Sequence, residues 1–208
     1  MKRNLSIAAV IFAAALILIM SLYDKHSPDE LEYIRQMEKY RAEQDSFYEY
    51  SPYSPFNAKE KVEFHNLKYF DVNPEFVFKS KLYPYEQKDT ITYFGTKGEA
   101  RKAVRYGYVK FDYDSKEYKL NVYEGSSKSG EIYHMIWFTD KTTNKESYGV
   151  GRYLNFELNP DPEYVYEIDF NKAYNPYCAY SKDYSCAIPT KEDYIDLAVR
   201  AGEKKFHE

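Results

Sequence analysis

Residues 106–123 read YGYVKFDYDSKEYKLNVY. Two strand-length runs rich in aromatic and β-branched side chains, Tyr106 to Tyr113 and Glu117 to Tyr123, flank the polar triplet Asp114-Ser115-Lys116. That pattern predicts a β-hairpin. Upstream, Phe76, Phe78 and Ser80 alternate with Val77 and Lys79, and Asp89 to Phe94 is β-branched and aromatic. Downstream, Ile132 to Thr139, Tyr153 to Leu158 and Tyr164 to Phe170 read as further strands, the last two joined by Asn159-Pro160-Asp161-Pro162. Short strands separated by turn residues define a mainly β class, an antiparallel sandwich or open barrel. The tail from Tyr194 to Ala201 is ambiguous. Ile195, Leu197, Val199 and Ala201 alternate as in a strand, whereas Thr190-x-x-Asp193 could cap a helix; a strand is expected.

An N-terminal helix is expected to pack on this domain. Ser27 is an N-cap, Pro28 stands at the first helical position, and Glu30 completes a capping box. The helix should run to about Phe47, with Tyr33, Met37, Tyr40 and Phe47 on one side. Ser51-Pro52 and Ser54-Pro55 end it. Residues 26–50 therefore form an amphipathic helix and residues 51–208 the β-rich domain.

Before that helix, Leu5 to Tyr23 reads LSIAAVIFAAALILIMSLY, uncharged and free of proline. A helix needs roughly 20 apolar residues to cross the hydrocarbon core. Residues 1–25 are thus expected to be one transmembrane helix or a signal segment. Lys2 and Arg3 would stay inside, putting the C-terminal domain outside the cytoplasm, in the periplasm or at the cell surface. A cleaved signal would end in a small-x-small site, which Ile19-Met20-Ser21 does not supply, so an uncleaved anchor fits better.

The 208 residues suffice for one domain plus such an anchor. A net charge of −4, with the basic residues scattered, argues against nucleic acid as a partner. The 25 tyrosines and 13 phenylalanines suit strands first, and a platform for sugar rings or peptide side chains second. No P-loop, dinucleotide turn, nucleophile elbow or zinc helix is present, and the four histidines lie far apart. Neither a cofactor nor a metal is expected.

Two C-terminal stretches carry the candidate site. Glu146-Ser147-Tyr148-Gly149-Val150-Gly151-Arg152 places a Gly-x-Gly and an arginine just before a strand. Such backbone can turn its N–H groups toward a ligand, and arginine adds a planar fork for carboxylate or phosphate. A structural salt bridge beside a glycine bulge would look the same. Asp169-Phe170-Asn171-Lys172-Ala173-Tyr174-Asn175 supplies ligand or acid–base groups, which equally stabilise irregular loops. If the strands on either side of Asn159–Pro162 pair antiparallel, Arg152 faces the Asp169–Asn175 loop. The ligand-binding set is then Tyr148, Gly149, Gly151, Arg152, Asp169, Asn171, Tyr174 and Asn175, with Glu146 and Asp169 as catalytic candidates. Cys178 and Cys186, the two cysteines of the chain, are expected to form a disulfide outside the cytoplasm.

The segments Glu146–Tyr153, Asp169–Tyr180 and Cys186 through Pro189 to Ala201-Gly202-Glu203 closely resemble the bacterial and archaeal DUF1684 family, a domain of unknown function. The likeness extends upstream through Tyr106–Tyr123. This copy has Val150 where the family usually has glycine, Ser147 for threonine, Ala187 and Thr190 for prolines, and Asp193 for asparagine. The resemblance implies no established activity. The leading expectation is a membrane-anchored binding or accessory module for a small polar ligand, a glycan or an envelope protein. The alternative is a hydrolase-like enzyme with Glu146 or Asp169 as acid or base and Arg152 holding an anionic group.

Overall fold

The computed structural model describes residues 26–207 apart from 60 and 128. One α-helix, α1 (Pro28–Tyr50), precedes eight strands: β1 (Val77–Lys81), β2 (Tyr83–Pro84), β3 (Thr90–Phe94), β4 (Ala100–Tyr113), β5 (Lys116–Ser126), β6 (Ile132–Phe138), β7 (Arg152–Phe156) and β8 (Val165–Asp169). Six of them form an antiparallel sheet in the order β2-β4-β5-β6-β7, with β3 also paired to β4. The other two, β1 and β8, form an antiparallel ribbon.

The β4–β5 hairpin closes on Asp114 and Ser115, at φ 48° and 61°. Two successive left-handed residues match the right-handed twist of the strands, which is why a two-residue turn with small polar side chains sits here. Period-two alternation then sorts the sheet into two faces. Val109, Phe111, Leu120, Val122, Ile136, Phe138, Leu154 and Phe156 point to one face and pack with Tyr166 and Ile168 of the β8 ribbon. Ala103, Tyr123, Trp137 and Tyr153 point to the other, where they meet Tyr93 and Ala187. Among the described residues the fold is mainly β, two antiparallel sheets with one α-helix.

Three expectations are corrected. No described helix is long and apolar enough to cross a membrane, and Leu5 to Tyr23 lies outside the described residues. The transmembrane helix, and the single-pass extracytoplasmic placement drawn from it, are therefore not retained. Second, β7 pairs with β6, and β8 crosses to β1 in the other layer. Two prolines in the connection withhold ladder donors, and Asn159 N donates to the Tyr166 hydroxyl (2.9 Å), so the chain leaves the sheet instead of turning back on it. Third, the tail after β8 is no strand. Ile195, Leu197, Val199 and Ala201 do bury alternately in the first core. Their backbone, however, makes isolated bonds, such as Ile195 N to Thr139 O (2.9 Å) and Lys141 N to Leu197 O (3.0 Å).

Helix α1 begins on the expected box, Glu30 N on Ser27 Oγ (3.3 Å) and Ser27 N on Glu30 Oε2 (2.7 Å). Of its side chains just Met37 and Tyr48 are buried, too little apolar area to hold 23 residues. Polar staples do the rest. Tyr33 Oη donates to Asp169 Oδ1 (2.8 Å), Arg41 NH1 to Phe70 O (2.9 Å), and Leu67 N to Asp45 Oδ1 (3.1 Å). Each is worth roughly 1 kcal/mol net, and all lie on the face defined by Met37 and Tyr48.

Candidate functional site

The expected site residues fall in three separate places. Arg152 opens β7 and is 1 % exposed. Its guanidinium donates to Val199 O (2.8 Å) and Ala201 O and lies 3.4 Å from Asp140 Oδ2. Asp140 in turn accepts Val199 N (2.8 Å) and the Thr142 and Thr143 hydroxyls. Burial lowers the pKa of Arg152, and the Asp140 charge opposes that shift. Gly151 has φ 110°, and a Cβ there would meet Phe138 O at 2.5 Å, so this glycine serves the close approach of two strand ends. Glu146 is exposed and held by Arg200 through two bonds of 3.0 Å, which keep its carboxyl below the usual range.

Asp169 caps the turn that follows β8, accepting Asn171 N (2.9 Å) and Nδ2 (3.2 Å) besides the Tyr33 hydroxyl. Asn171 is bonded both ways to the backbone of Asn73. Arg152 hydrogen-bonds to none of Asp169, Asn171 or Asn175 among the described residues. Tyr153 and Tyr174 pair instead, N to O at 2.9 and 3.1 Å, and this lays the Asn175 loop against the edge of β7.

What the chain brings together is a cavity of about 440 Å³ on the second face of the sheet. The C-terminal half of α1 covers it with Tyr40, Gln44, Phe47 and Tyr48. The sheet supplies Tyr93, Arg101, Tyr133 and Tyr153, and the segment after β8 supplies Asn171, Tyr174, Tyr177 and Cys186. Of the expected ligand set, Asn171 and Tyr174 line it, and Asp169 lines an adjoining cavity of about 140 Å³. Tyr148, Gly149, Gly151, Arg152 and Asn175 line neither.

Glu203 also lines the cavity, at 3 % exposure. It accepts Asn175 N (2.8 Å) and the Tyr180 hydroxyl, both on Oε2. Burial raises its pKa to about 7 against the opposing pull of those two bonds and of Arg152. Gly202, at φ 76°, places it: a Cβ at that position would lie 2.5 Å from Ala173 O. No chemistry-bearing motif in the sequence marks Glu203; the Gly-Glu step after the alternating apolar run signals a pinned chain there.

Cys178 and Cys186 are free thiols, not the expected disulfide. Cys178 N donates to Cys186 Sγ (3.2 Å), and the Tyr148 hydroxyl reaches Cys178 Sγ (3.9 Å). The thiol bond from Cys186 lowers the Cys178 pKa to about 7, while the same bond raises that of Cys186. Cys178 is therefore the more readily ionised thiol of the pair. Iodoacetamide at neutral pH should label Cys178 first in the native protein, and Cys186→Ala, which removes the donor, should slow that reaction. Peptide mapping showing equal labelling of both, or Cys186 first, would contradict the assignment. Among the described residues no group of three or more His, Cys, Asp or Glu side chains is placed to hold a metal.

A helix-covered antiparallel β domain with a tyrosine-walled cavity and a carboxylate in it defines the class. The chain belongs to the DUF1684 family of proteins of unknown function, whose model matches residues 62–204. It is also similar to an uncharacterized protein of Haloarcula marismortui solved by solution NMR. That likeness has 26 % identity and a TM-score of 0.60, and it covers 86 % of this chain and 97 % of the other. No curated protein matches.

Proposed function

We propose that this protein is a binding module for a small ring-bearing molecule seated in the cavity between α1 and the sheet. The observation that carries the reading is the convergence of tyrosines from six parts of the chain on one concavity, with a few polar groups among them. Apolar walls with sparse, fixed polar groups are the general form of small-molecule sites. Several lining groups are already tied down, Tyr174 Oη on Asn155 Oδ1 (2.7 Å) and Tyr153 Oη on Ala187 O, so ring carbon is what they offer a ligand. Tyrosines gathered in a cavity suit a small molecule better than an extended glycan or a protein. The residues of the hydrolase reading, Glu146, Asp169 and Arg152, are spread over three environments and do not converge on one reacting atom.

A thermal-shift screen of neutral, anionic and cationic ring compounds (indoles, nucleosides, benzoates and benzyltrimethylammonium) against the full chain tests the reading, because a ligand stabilises the folded state it binds. Phe47 and Tyr133 line the cavity yet are 40 % and 36 % exposed, so Phe47→Ala and Tyr133→Ala should leave the unliganded protein within about 0.5 kcal/mol of wild type. Both should diminish the shift given by a true ligand. Hits indifferent to both substitutions, or no hits, would sink the proposal.

A further inference from the structure

The charges around the cavity are unequally compensated. Lys172 has Asp169 at 3.2 Å and Glu167 at 3.6 Å, and Arg101 is paired with Glu99. Glu203 forms no ion pair among the described residues, and the Arg152 guanidinium nearby is already paired with Asp140. Both hydrogen bonds to Glu203 fall on Oε2, so Oε1 accepts none. Tyrosines gather round this carboxylate: Tyr40 and Tyr48 of α1, Tyr69 of the connection, and Tyr174 and Tyr180 after β8 all feel its charge. On the cavity wall Tyr177 stands edge-on to Tyr48 and to Tyr184, with ring centroids 6.2 Å and 5.2 Å away. Aromatic rings lining a cavity that also holds a buried carboxylate favour a positively charged guest.

We propose that the cavity takes an organic monocation of the alkylated ammonium type, with the Glu203 carboxylate as counter-ion and the tyrosine rings as walls. The assignment rests on the cavity being a ligand site and adds the charge of the ligand. A compact, weakly hydrated ammonium loses little on leaving water and gains both the ring quadrupoles and an otherwise uncompensated carboxylate.

Proton linkage follows. Besides the five tyrosines, the charged groups acting on Glu203 are Asp45 of α1, which raises its pKa, and Arg152 of β7, which lowers it. With a pKa of about 7, the carboxyl is largely protonated below neutrality, and a cation selects the ionised form. Cation binding thus expels a proton. Affinity rises as pH increases toward about 7 and levels off above it.

Titration calorimetry of the full chain with tetramethylammonium, choline and benzyltrimethylammonium, each against its neutral carbon isostere, tests the proposal. At least one cation should bind, its isostere should not, and affinity should fall about tenfold from pH ~8 to pH ~6. Glu203→Gln keeps an acceptor for Tyr180 and Asn175 N and should abolish both the cation preference and the pH dependence. Should that variant fold poorly, Tyr177→Leu on the cavity wall should weaken the cation about tenfold while Tyr177→Phe retains it. Equal binding of cation and isostere, or binding of none of the cations up to about 10 mM, overturns the charge assignment. A neutral or anionic ring still bound through Phe47 and Tyr133 would then leave the cavity reading standing, whereas no ligand of any class would remove both.

Discussion

Arg152→Ala is expected to destabilise the protein by about 3–5 kcal/mol, enough to leave it largely unfolded near physiological temperature. The substitution leaves the Asp140 carboxylate buried without its counter-ion, and the carbonyls of Val199 and Ala201 lose their donor. The guanidinium also sits 5.3 Å from the Phe138 ring centroid, so packing is lost with the charge. Arg152→Lys should recover little, since one ammonium cannot replace a planar fork that bonds several acceptors at once. Denaturant melts of Arg152→Met, Asp140→Asn and the double variant check the cause. Removing both charges should cost clearly less than the two single losses combined. Strict additivity would mean that Asp140 and Arg152 do not act as a pair.

The second large effect belongs to Asp193. Its Oδ1 accepts the Tyr123 hydroxyl (2.7 Å) and Asn121 Nδ2 (3.1 Å), and its Oδ2 accepts Trp137 Nε1 (3.0 Å) together with Thr190 N (2.8 Å) and Oγ1 (2.7 Å). Three of these five donors come from the second face of the sheet, where Tyr123 and Trp137 stack with centroids 4.1 Å apart. Asp193→Ala orphans buried donors at about 1–3 kcal/mol each, so a loss of at least 3 kcal/mol is expected. Asp193→Asn should fall between, because its amide turns an NH2 toward donors on one side. Unfolding curves give the stability, and Trp137 emission should shift to the red in Asp193→Ala as water reaches the indole. An unchanged emission and a loss under 1 kcal/mol would show that the tail is held by other contacts.

These two residues also show what the sequence could and could not disclose. Local patterns were readable: the hairpin turn at Asp114-Ser115, the Ser27 capping box, and the alternation that sorts Ile136 from Trp137. Partnerships across long stretches of chain were not. Nothing near Asp140 marks it as the mate of Arg152, and a Gly-x-Gly-Arg written for a ligand is identical to one written for a strand end pinned to a returning tail. The five donors that meet Asp193 are scattered over 70 residues of sequence. Glu203 escaped because burial, not residue type, makes it notable. Of the expected ligand set, Asn171 and Tyr174 reach the cavity because the chain after β8 folds back along β7, an approach the misassigned β7–β8 pairing nevertheless suggested.

The returning tail bears on how the molecule is made. The β4–β5 and β5–β6 pairings join neighbours in sequence and can close early, since short loops lose little entropy on closure. The cavity is the opposite case: its walls come from α1, from the middle strands and from Glu203 near the C-terminal end of the described chain. Contacts of such sequence separation carry the largest loop-closure cost. The pocket is complete only where these distant parts of the chain have docked, so recognition reports a finished fold.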